Sequence, residues 1–423
     1  MTEQKKVIKR DFFYSFTRLI ATCLPVFFFT VCTAQDYVPP DSVSAHVVDA
    51  QDVLKKMFKI KPDTTKPKQG QSMVLLPSLG YNPSNGFVFG AKVAIIRQYG
   101  QKENTDLSTF GLEGSYATKG VITVQARHNV FLPGNHWSVD GNWQLSKALI
   151  EDYSIGTGNK DYITKSDSMF PLRFTHIRFT EKVFKRLGGK LYAGLGVNIN
   201  IRYKINDEKL DSLGSSPHFR YSLRNGFGAT KYSANSLLLA IAYKGREHPI
   251  RSYGGFYADL TFSLSQEWLG STKPAFQIIY DIRKYFSLSK KNPEHVLAFW
   301  HMVSYKLDGT VPYLALPATG YDLYNRMGRG YTIGRFKGLS LSYFETEYRF
   351  PITRNKLFSG VAFANVQTAS DDLGKKLFQY WDPAAGLGLR ILFQKQSRST
   401  VCIDFVRGKY GSNGIFFGLN EAF

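Results

Sequence analysis

The 423-residue sequence is poor in cysteine, lacks paired metal-ligand spacing and has no long apolar run beyond its N-terminal segment. Cysteine occurs only at Cys23, Cys32 and Cys402, so a chain that loses its N-terminal segment retains one cysteine and forms no internal disulfide. No later stretch reaches the about 18 uncharged apolar residues of a membrane-spanning helix. The eight histidines are widely separated, and no Gly-x-Ser-x-Gly elbow occurs. We therefore expect no enzyme, no catalytic residue, no metal and no cofactor.

The first 34 residues have the composition of an export signal. Four basic residues within the first ten positions precede an apolar run over about 19–31, which is followed by Cys32-Thr33-Ala34. This order predicts a signal peptide over residues 1–34, cleaved after Ala34. A membrane anchor is the alternative, but the apolar run is only about 13 residues, short of the about 20 required. A lipoprotein signal at Cys32 is a weaker alternative, because Phe29-Thr30-Val31 is a poor lead-in.

The chain is strongly basic, with a formal net charge of +21. In a cytosolic protein this charge would suit nucleic acid, but export removes that partner, so we expect no nucleic acid. A basic balance instead suits an anionic lipopolysaccharide surface or an anion-favouring lumen. Charges scattered over solvated loops and a pore wall remain an equal alternative.

Residues 35–71 have the composition of a linker, which we expect to be periplasmic. They are polar and rich in proline and lysine. Within them, Asp49 to Ile60 predicts a short helix that Asp49 caps and that presents Val53, Leu54, Met57 and Phe58 on one face. This helix would be a plug, a docking segment for a partner, or a frayed segment without fixed structure.

From about residue 72 to residue 423 the sequence alternates with a period of two. Over 191–202, for example, Leu, Ala, Leu, Val, Ile and Ile alternate with Tyr, Gly, Gly, Asn, Asn and Arg, which predicts strands with one apolar face. About sixteen such segments begin near residues 72, 86, 107, 121, 136, 169, 189, 234, 255, 274, 295, 338, 356, 384, 399 and 413.

A soluble sandwich would alternate in the same way, but three features favour a transmembrane antiparallel β-barrel. The segments reach about 10 residues, the length with which a tilted strand crosses a bilayer. Aromatic residues make up 15% of the chain, as aromatic girdles require. The chain also ends on an alternating strand. The sequence therefore predicts an all-β fold over 72–423 with 16 strands, closed on itself because lipid offers an edge no hydrogen bonds. An even strand number would leave both ends in the periplasm.

Several motifs in the last third carry a family resemblance. Met327-Gly328-Arg329-Gly330-Tyr331 lies in a long connection over about 307–337, and Glu345-Thr346-Glu347-Tyr348-Arg349-Phe350-Pro351 follows it. Further on come Ala385-Gly386-Leu387-Gly388-Leu389-Arg390 and the terminal segment 416–423. Together these segments resemble the barrel of the BamA/TamA (bacterial surface antigen) outer-membrane family. The resemblance covers about 72–423 and is strongest after residue 320. The about 37 residues over 35–71 are too few for a POTRA module, so the resemblance is to a short form without POTRA domains.

The resemblance implies an extracellular loop that folds back into the barrel and carries Arg329, Gly330 and Tyr331. In the family, the arginine contacts acidic groups on the inner wall. Here Glu347, Asp404 and Asn365 are the expected partners, and Glu345 shares the strand face of Glu347. Asn365 stands where the family often has aspartate. Because an amide loses the charge-assisted bond, we expect Glu347 or Asp404 to contribute more.

The resemblance also implies a seam between the first and last strands. Pro77 and Leu79 would lie on one side of the seam and Phe417 and Leu419 on the other. Proline removes a ladder donor and suits an edge strand, although a kink in a closed barrel explains Pro77 equally well. The last strand would carry a C-terminal assembly signal on one face, formed by Ile415, Phe417, Leu419 and Phe423.

Three functions fit the sequence. The first is outer-membrane protein assembly, insertion or polypeptide translocation at the seam. The second is a transport pore or plugged barrel, and the third is a structural subunit of a larger outer-membrane complex. The expected partners are outer-membrane lipid and lipopolysaccharide, the assembly machinery that inserts the barrel, and protein clients or partner subunits. The expected location is the outer membrane of a Gram-negative bacterium.

Overall fold

The computed structural model describes residues 47–59, 71–82, 86–158, 170–210, 216–322 and 325–423. The predicted signal peptide, most of the predicted linker and the residues between these ranges lie outside it. Within these ranges the chain forms one all-β sheet of seventeen strands. Their bounds are Gln71–Asn82 (β1), Gly86–Arg97 (β2), Ser108–Ala117 (β3), Val121–Phe131 (β4), Trp137–Asp152 (β5), Phe170–Gly188 (β6), Leu191–Asp207 (β7), Lys231–Ser233 (β8), Ser236–Arg246 (β9), Gly255–Ser265 (β10), Ala275–Ser287 (β11), Val296–Gly309 (β12), Leu341–Pro351 (β13), Phe358–Ala369 (β14), Asp382–Gln394 (β15), Ser399–Gly408 (β16) and Asn413–Leu419 (β17).

Sixteen of these strands form the barrel wall, as the sequence predicted. Each wall strand pairs antiparallel with the next along the chain, and β9 takes the place of the three-residue β8 beside β7. β8 is an additional short strand that pairs with the far end of β7. Predicted and observed strand starts differ by at most three residues, as at residue 338 against Leu341. Alternation therefore located the wall, while β8 was too short to be seen in it.

The wall places apolar side chains outward and polar side chains inward. On β5, Trp143 and Leu145 are about half exposed, whereas Ser138, Asn142 and Ser146 are buried. This arrangement is that of a transmembrane β-barrel, in which the outer band meets lipid and the interior is polar. The described residues contain no helix with the length and apolar character of a membrane span.

Two short α-helices accompany the barrel in the described part of the chain. The first, α1 (Ala50–Met57), begins at Asp49, whose side chain accepts from the backbone N–H of Asp52 at 2.8 Å while the Asp52 carboxylate accepts from the Asp49 N–H. This reciprocal capping satisfies donors that the first helical turn leaves unpaired. The second, α2 (Pro217–Arg224), lies between β7 and β8 and is capped by Ser216. The predicted helix over 49–60 thus corresponds to α1, and the observed helix is shorter than the predicted one.

The polar side of α1 holds it against two wall turns. Lys395, in the turn between β15 and β16, donates through Nζ to Asp52 at 2.8 Å and through its backbone N–H to Asp49 at 2.9 Å. The Val48 N–H bonds to the carbonyl of Asn355, between β13 and β14, at 3.0 Å. We call this end of the barrel the α1 end, and the opposite end, from which residues 310–340 depart, the loop end.

The first and last wall strands each have one registered neighbour. β1 pairs with β2 and β17 pairs with β16, and no register joins β1 to β17 among the described residues. The Ser72 hydroxyl, at the start of β1, donates to the Gln394 side chain at the end of β15 at 2.5 Å. The start of β1 therefore contacts the end of β15 at the α1 end, and β1 and β17 are consecutive wall strands without a register among the described residues.

The residues predicted to form the seam lie in β1 and β17, and the two on β17 differ in exposure. Pro77 and Leu79 lie in β1, with Ala91 and Phe89 of β2 as their backbone partners. Their side chains lie outside the described part. On β17, Phe417 is 63% exposed on the outer face, but Leu419 is only 9% exposed.

The terminal segment contradicts one prediction. Phe423 was expected to share the outer face of Ile415 and Phe417, but it is buried inside the barrel. The strand ends at Leu419, and Asn420 adopts a left-handed conformation with φ +68°, which asparagine tolerates better than most residues. This turn breaks the alternation, so residues 421–423 enter the lumen, and Phe423 packs there 5.4 Å from Trp300 between ring centroids.

Candidate functional site

The described residues between β12 and β13, 310–322 and 325–340, fold into the barrel from the loop end. Their apolar side chains form part of a buried cluster with α2 and the wall, and Tyr313, Leu314 and Leu316 have no exposed surface. The Tyr221 hydroxyl of α2 donates to the carbonyl of Val311 at 2.8 Å. The apolar content of this loop therefore anchors it inside the lumen, where its polar residues meet the inner wall.

The Arg329 guanidinium lies among three carboxylates of that wall. It bonds to Glu345 and Glu347 on β13, with 2.5 Å from Nη2 to Glu347, and its Nη1 donates to Asp404 on β16 at 3.2 Å. Arg329 is 7% exposed and both glutamates have no exposed surface. A guanidinium so far from water requires anionic partners, and here all the predicted carboxylates take part together with Glu345.

Asn365 has a different role from the one predicted. Its amide nitrogen donates to the backbone carbonyl of Arg329 at 3.0 Å, and its amide oxygen accepts no hydrogen bond among the described residues. The face of the Arg329 guanidinium is covered by the Phe363 ring, 3.5 Å from its centroid, which is a cation–π geometry. Asn365 therefore fixes the loop backbone, and the Phe363 ring is a partner that the sequence reasoning missed.

Gly330 and Tyr331 fix the loop beyond Arg329. Gly330 has φ +98°, and a Cβ there would lie 2.7 Å from Val406 Cγ1, so only glycine fits. The Tyr331 hydroxyl donates to the carbonyl of Pro383 at 2.5 Å and accepts the Lys409 N–H at 2.9 Å. Burial raises the pKa of Tyr331 to about 12, so this hydroxyl remains a donor at neutral pH.

The Arg329 cluster continues towards the α1 end as an alternating charge network. Arg349 donates to Glu347 at 2.6 Å, and Arg390 bridges Asp404 at 2.5 Å and Glu421 at 2.8 Å. We define the lumen network as these groups with Arg251, which pairs with Glu421 at 3.2 Å. It contains four guanidinium groups and four carboxylates, namely Arg251, Arg329, Arg349, Arg390, Glu345, Glu347, Asp404 and Glu421.

The network and the loop both hold the end of the last strand. Arg349 Nη2 donates to the backbone oxygen of Phe423 at 2.8 Å. From the loop, Arg326 Nη2 donates to the carbonyl of Leu419 at 2.5 Å. Because β17 has no registered neighbour on its β1 side, these lumen contacts supply part of the anchorage that a second ladder would otherwise give.

Part of this site escaped the sequence reasoning. Arg349 follows Glu347 by two residues on one strand, so the period of two already put both on the lumen face. Glu421 is a charged residue within the apolar pattern of the last strand. This interruption is the sequence signal for the change from the outer face to the lumen. Nothing in the sequence indicated that Arg251, in the turn between β9 and β10, pairs with Glu421.

Comparison with known proteins supports the fold. No protein-family model matches the chain, and no curated protein matches it. Among solved structures, BamA from Haemophilus ducreyi lacking POTRA domains 1–3 is similar with a TM-score of 0.53 and 14% identity, over 84% of this chain and 70% of that one. CdiB from Escherichia coli is similar with a TM-score of 0.51 and 11% identity, over 84% of this chain and 63% of that one. The chain thus spans less than two thirds of that CdiB chain. At these identities the likeness shows that the wall has the barrel fold of BamA and CdiB.

Proposed function

We propose that the protein is an integral outer-membrane barrel that assists the assembly or translocation of polypeptides at the boundary between β1 and β17. In this proposal the α1 end faces the periplasm. The outward apolar band, the inward loop and the similarity in fold to BamA and CdiB support the proposal.

The observation that carries the proposal is the lumen anchorage of an otherwise half-paired last strand. β17 has seven residues and β1 has twelve, and among the described residues no register joins them. Arg326 and the lumen network hold the end of β17 from inside. Exposing the unpaired backbone groups of a strand edge to lipid is costly. Because β17 is held by side chains from the lumen and not by a ladder to β1, it can separate from β1 without breaking a full set of backbone hydrogen bonds. The boundary is therefore the part of the wall best suited to open.

A disulfide across this boundary tests the proposal. In a Cys402→Ser background, Leu75→Cys is combined with Ile415→Cys or Phe417→Cys, since all three native side chains point outward and are more than half exposed. We expect the oxidised protein to lose its ability to accelerate the folding of a denatured barrel client in proteoliposomes. Reduction should restore this activity.

The matched control places the same type of bond where a ladder already exists. Phe405 and Ile415 are paired residues of β16 and β17 on the outer face, so Phe405→Cys with Ile415→Cys should leave activity unchanged. Both stapled proteins should keep the gel shift on boiling that is typical of closed barrels. Full activity of the boundary-stapled protein would exclude opening there.

Two other functions remain as competing proposals. A transport pore requires the loop over 310–340 to leave the lumen, so deletion of this loop would raise conductance in planar bilayers while the boundary staple would have no effect. A structural subunit is favoured by α1, which presents Val53, Leu54, Met57 and Phe58 with 42–65% of their surface exposed. Removal of α1 would then release a co-purifying partner from native membranes.

A further inference from the structure

A cavity of about 160 Å³ lies in the lumen between β4–β7 and the loop over 310–340. The wall side carries Arg178 and His176 on β6, Arg202 on β7, and Gln144 and Ser146 on β5. The loop side carries Tyr321, Asn325 and Ile333. A water molecule needs roughly 10–15 Å³ of such space, so the cavity has room for a larger ligand. We call it the basic cavity.

Its two arginines lack the carboxylates that serve Arg329. Arg202 is 3% exposed, and its one hydrogen bond is from Nη1 to the Asn200 side chain at 2.8 Å. Its Nε has no hydrogen-bond partner among the described residues. Arg178 is half-buried on the neighbouring strand, and within the described part of the chain it makes no ion pair. Two guanidinium groups therefore line one cavity, and among the described residues neither forms an ion pair with a carboxylate.

Two acidic groups at the cavity, Glu151 in its lining and Asp322 next to the lining residue Tyr321, already have other partners. Glu151 borders the cavity, but its Oε2 accepts the Tyr153 hydroxyl at 2.8 Å. Asp322, in the loop, accepts the backbone N–H groups of Arg326 and Met327, each at 2.8 Å. Burial of a guanidinium is costly unless it is paired and hydrogen-bonded. A bound anion would supply both the charge and the acceptors.

We propose that the basic cavity is a binding site for a small oxyanion of the phosphate class, held by Arg178 and Arg202. Ser146 and Gln144 line the same space with hydroxyl and amide donors, which suits a tetrahedral ion with several acceptor oxygens. The position inside the lumen favours a free ion over a lipid head group. The site depends on the barrel fold and is independent of the proposed activity at the β1–β17 boundary.

Calorimetry with inorganic phosphate tests the site. Folded full-length protein, refolded from urea into lipid-free zwitterionic detergent, is titrated with phosphate at constant ionic strength. We expect saturable binding to one site. Arg178→Gln and Arg202→Gln should each lower the affinity about tenfold or more, because each removes a charge-assisted hydrogen bond. Arg354→Gln removes the same charge from an exposed turn at the α1 end and should leave the affinity within twofold of wild type.

A second measurement needs no substitution. Phenylglyoxal modification of the wild type, mapped by mass spectrometry, should be slowed by phosphate at Arg178 and unchanged at Arg354. The proposal is overturned by absent binding in the wild type, by an equal loss in the Arg354→Gln control, or by binding that appears only after lipid A is added. Because no client or stapled strand is involved, these outcomes leave the proposed function untouched.

Discussion

Replacement of Arg329 by alanine is the most direct test of the lumen network. The substitution removes the cation that lies among Glu345, Glu347 and Asp404. Glu347 keeps Arg349 and Asp404 keeps Arg390, but Glu345 keeps only the Tyr343 hydroxyl among the described residues. The largest loss should therefore fall on Glu345, a carboxylate with no exposed surface.

The expected cost follows from the burial of these groups. Removal of one partner from a buried ion pair costs about 3–5 kcal/mol, and the stacking of Arg329 on Phe363 contributes about 2 kcal/mol when desolvated. Even the lower figure of about 3 kcal/mol raises the ratio of released to docked loop by roughly two orders of magnitude. The wall ladders do not pass through Arg329, so the barrel itself should persist.

Limited proteolysis of the folded protein measures this ratio. Trypsin should cleave the Arg329→Ala protein at Arg335 and Lys337 at least about 100-fold faster than the wild type, because both residues are buried in the docked loop. The boiled and unboiled gel mobilities should stay distinct. Arg329→Lys should fall between the two, since lysine keeps the charge but lacks the planar fork of donors. Arg354→Ala, at an exposed turn, serves as the control.

A double-mutant cycle with Glu345→Gln separates the contribution of the Arg329–Glu345 ion pair from a general weakening of loop docking. If Glu345 is the carboxylate left without a cation, the double variant should be less destabilised than the sum of the single variants by 1 kcal/mol or more. Cleavage rates within twofold of wild type in Arg329→Ala, or additive effects in the cycle, would refute the reasoning.

Three further predictions concern the loop, the chain end and α1. Gly330→Ala should release the loop at a cost of about 1–3 kcal/mol, because alanine is strained at φ +98°, and the proteolysis assay measures it. Phe423→Ala should lower the free energy of unfolding in urea by about 3–5 kcal/mol as a buried deletion, whereas Phe417→Ala on the outer face should cost less. The hydrogen bond from Lys395 lowers the pKa of Asp52 against the opposing effect of burial. Its stabilisation is therefore present above the unfolded pKa of 3.8 and lost as pH falls through the folded value. With both side chains over a third exposed, Asp52→Asn should weaken α1 docking by no more than about 1 kcal/mol, as measured by the fluorescence of a label on α1.

Much of the fold could be predicted because a barrel wall repeats one local rule. Each wall strand has one face towards lipid and one towards the lumen, so a period of two is enough to locate it. The same rule failed where the backbone ceased to be extended. At Asn420, with φ +68°, parity no longer predicts the face, and Phe423 was therefore assigned to the wrong side. β8, with three residues, is too short for alternation to be recognised.

The candidate site was predictable only in its local part. Arg329 and Glu347 were found through motifs and through side chains that share a strand face. Contacts across the lumen depend on strand tilt and on the stagger between distant strands, and the sequence pattern encodes neither directly. Arg251 and Glu421 lie 170 positions apart in the chain (421 − 251), and their ion pair at 3.2 Å becomes visible only in the three-dimensional arrangement of the strands.

The balance of charges in the lumen network has a mechanical consequence. Four guanidinium groups alternate with four carboxylates from the loop through β13, β15 and β16 to the chain end. Most members of the network have at least two partners of opposite charge. When one contact is lost, the neighbouring buried charge keeps only part of its neutralisation, which favours the release of several contacts together. Movement of the loop away from Glu345 and Asp404 would thus weaken the hold on Glu421. A loop and a terminal segment that share one neutral network are therefore expected to dock and to release as one unit. This unit lies beside the boundary between β1 and β17, the only neighbouring wall strands that no register joins among the described residues.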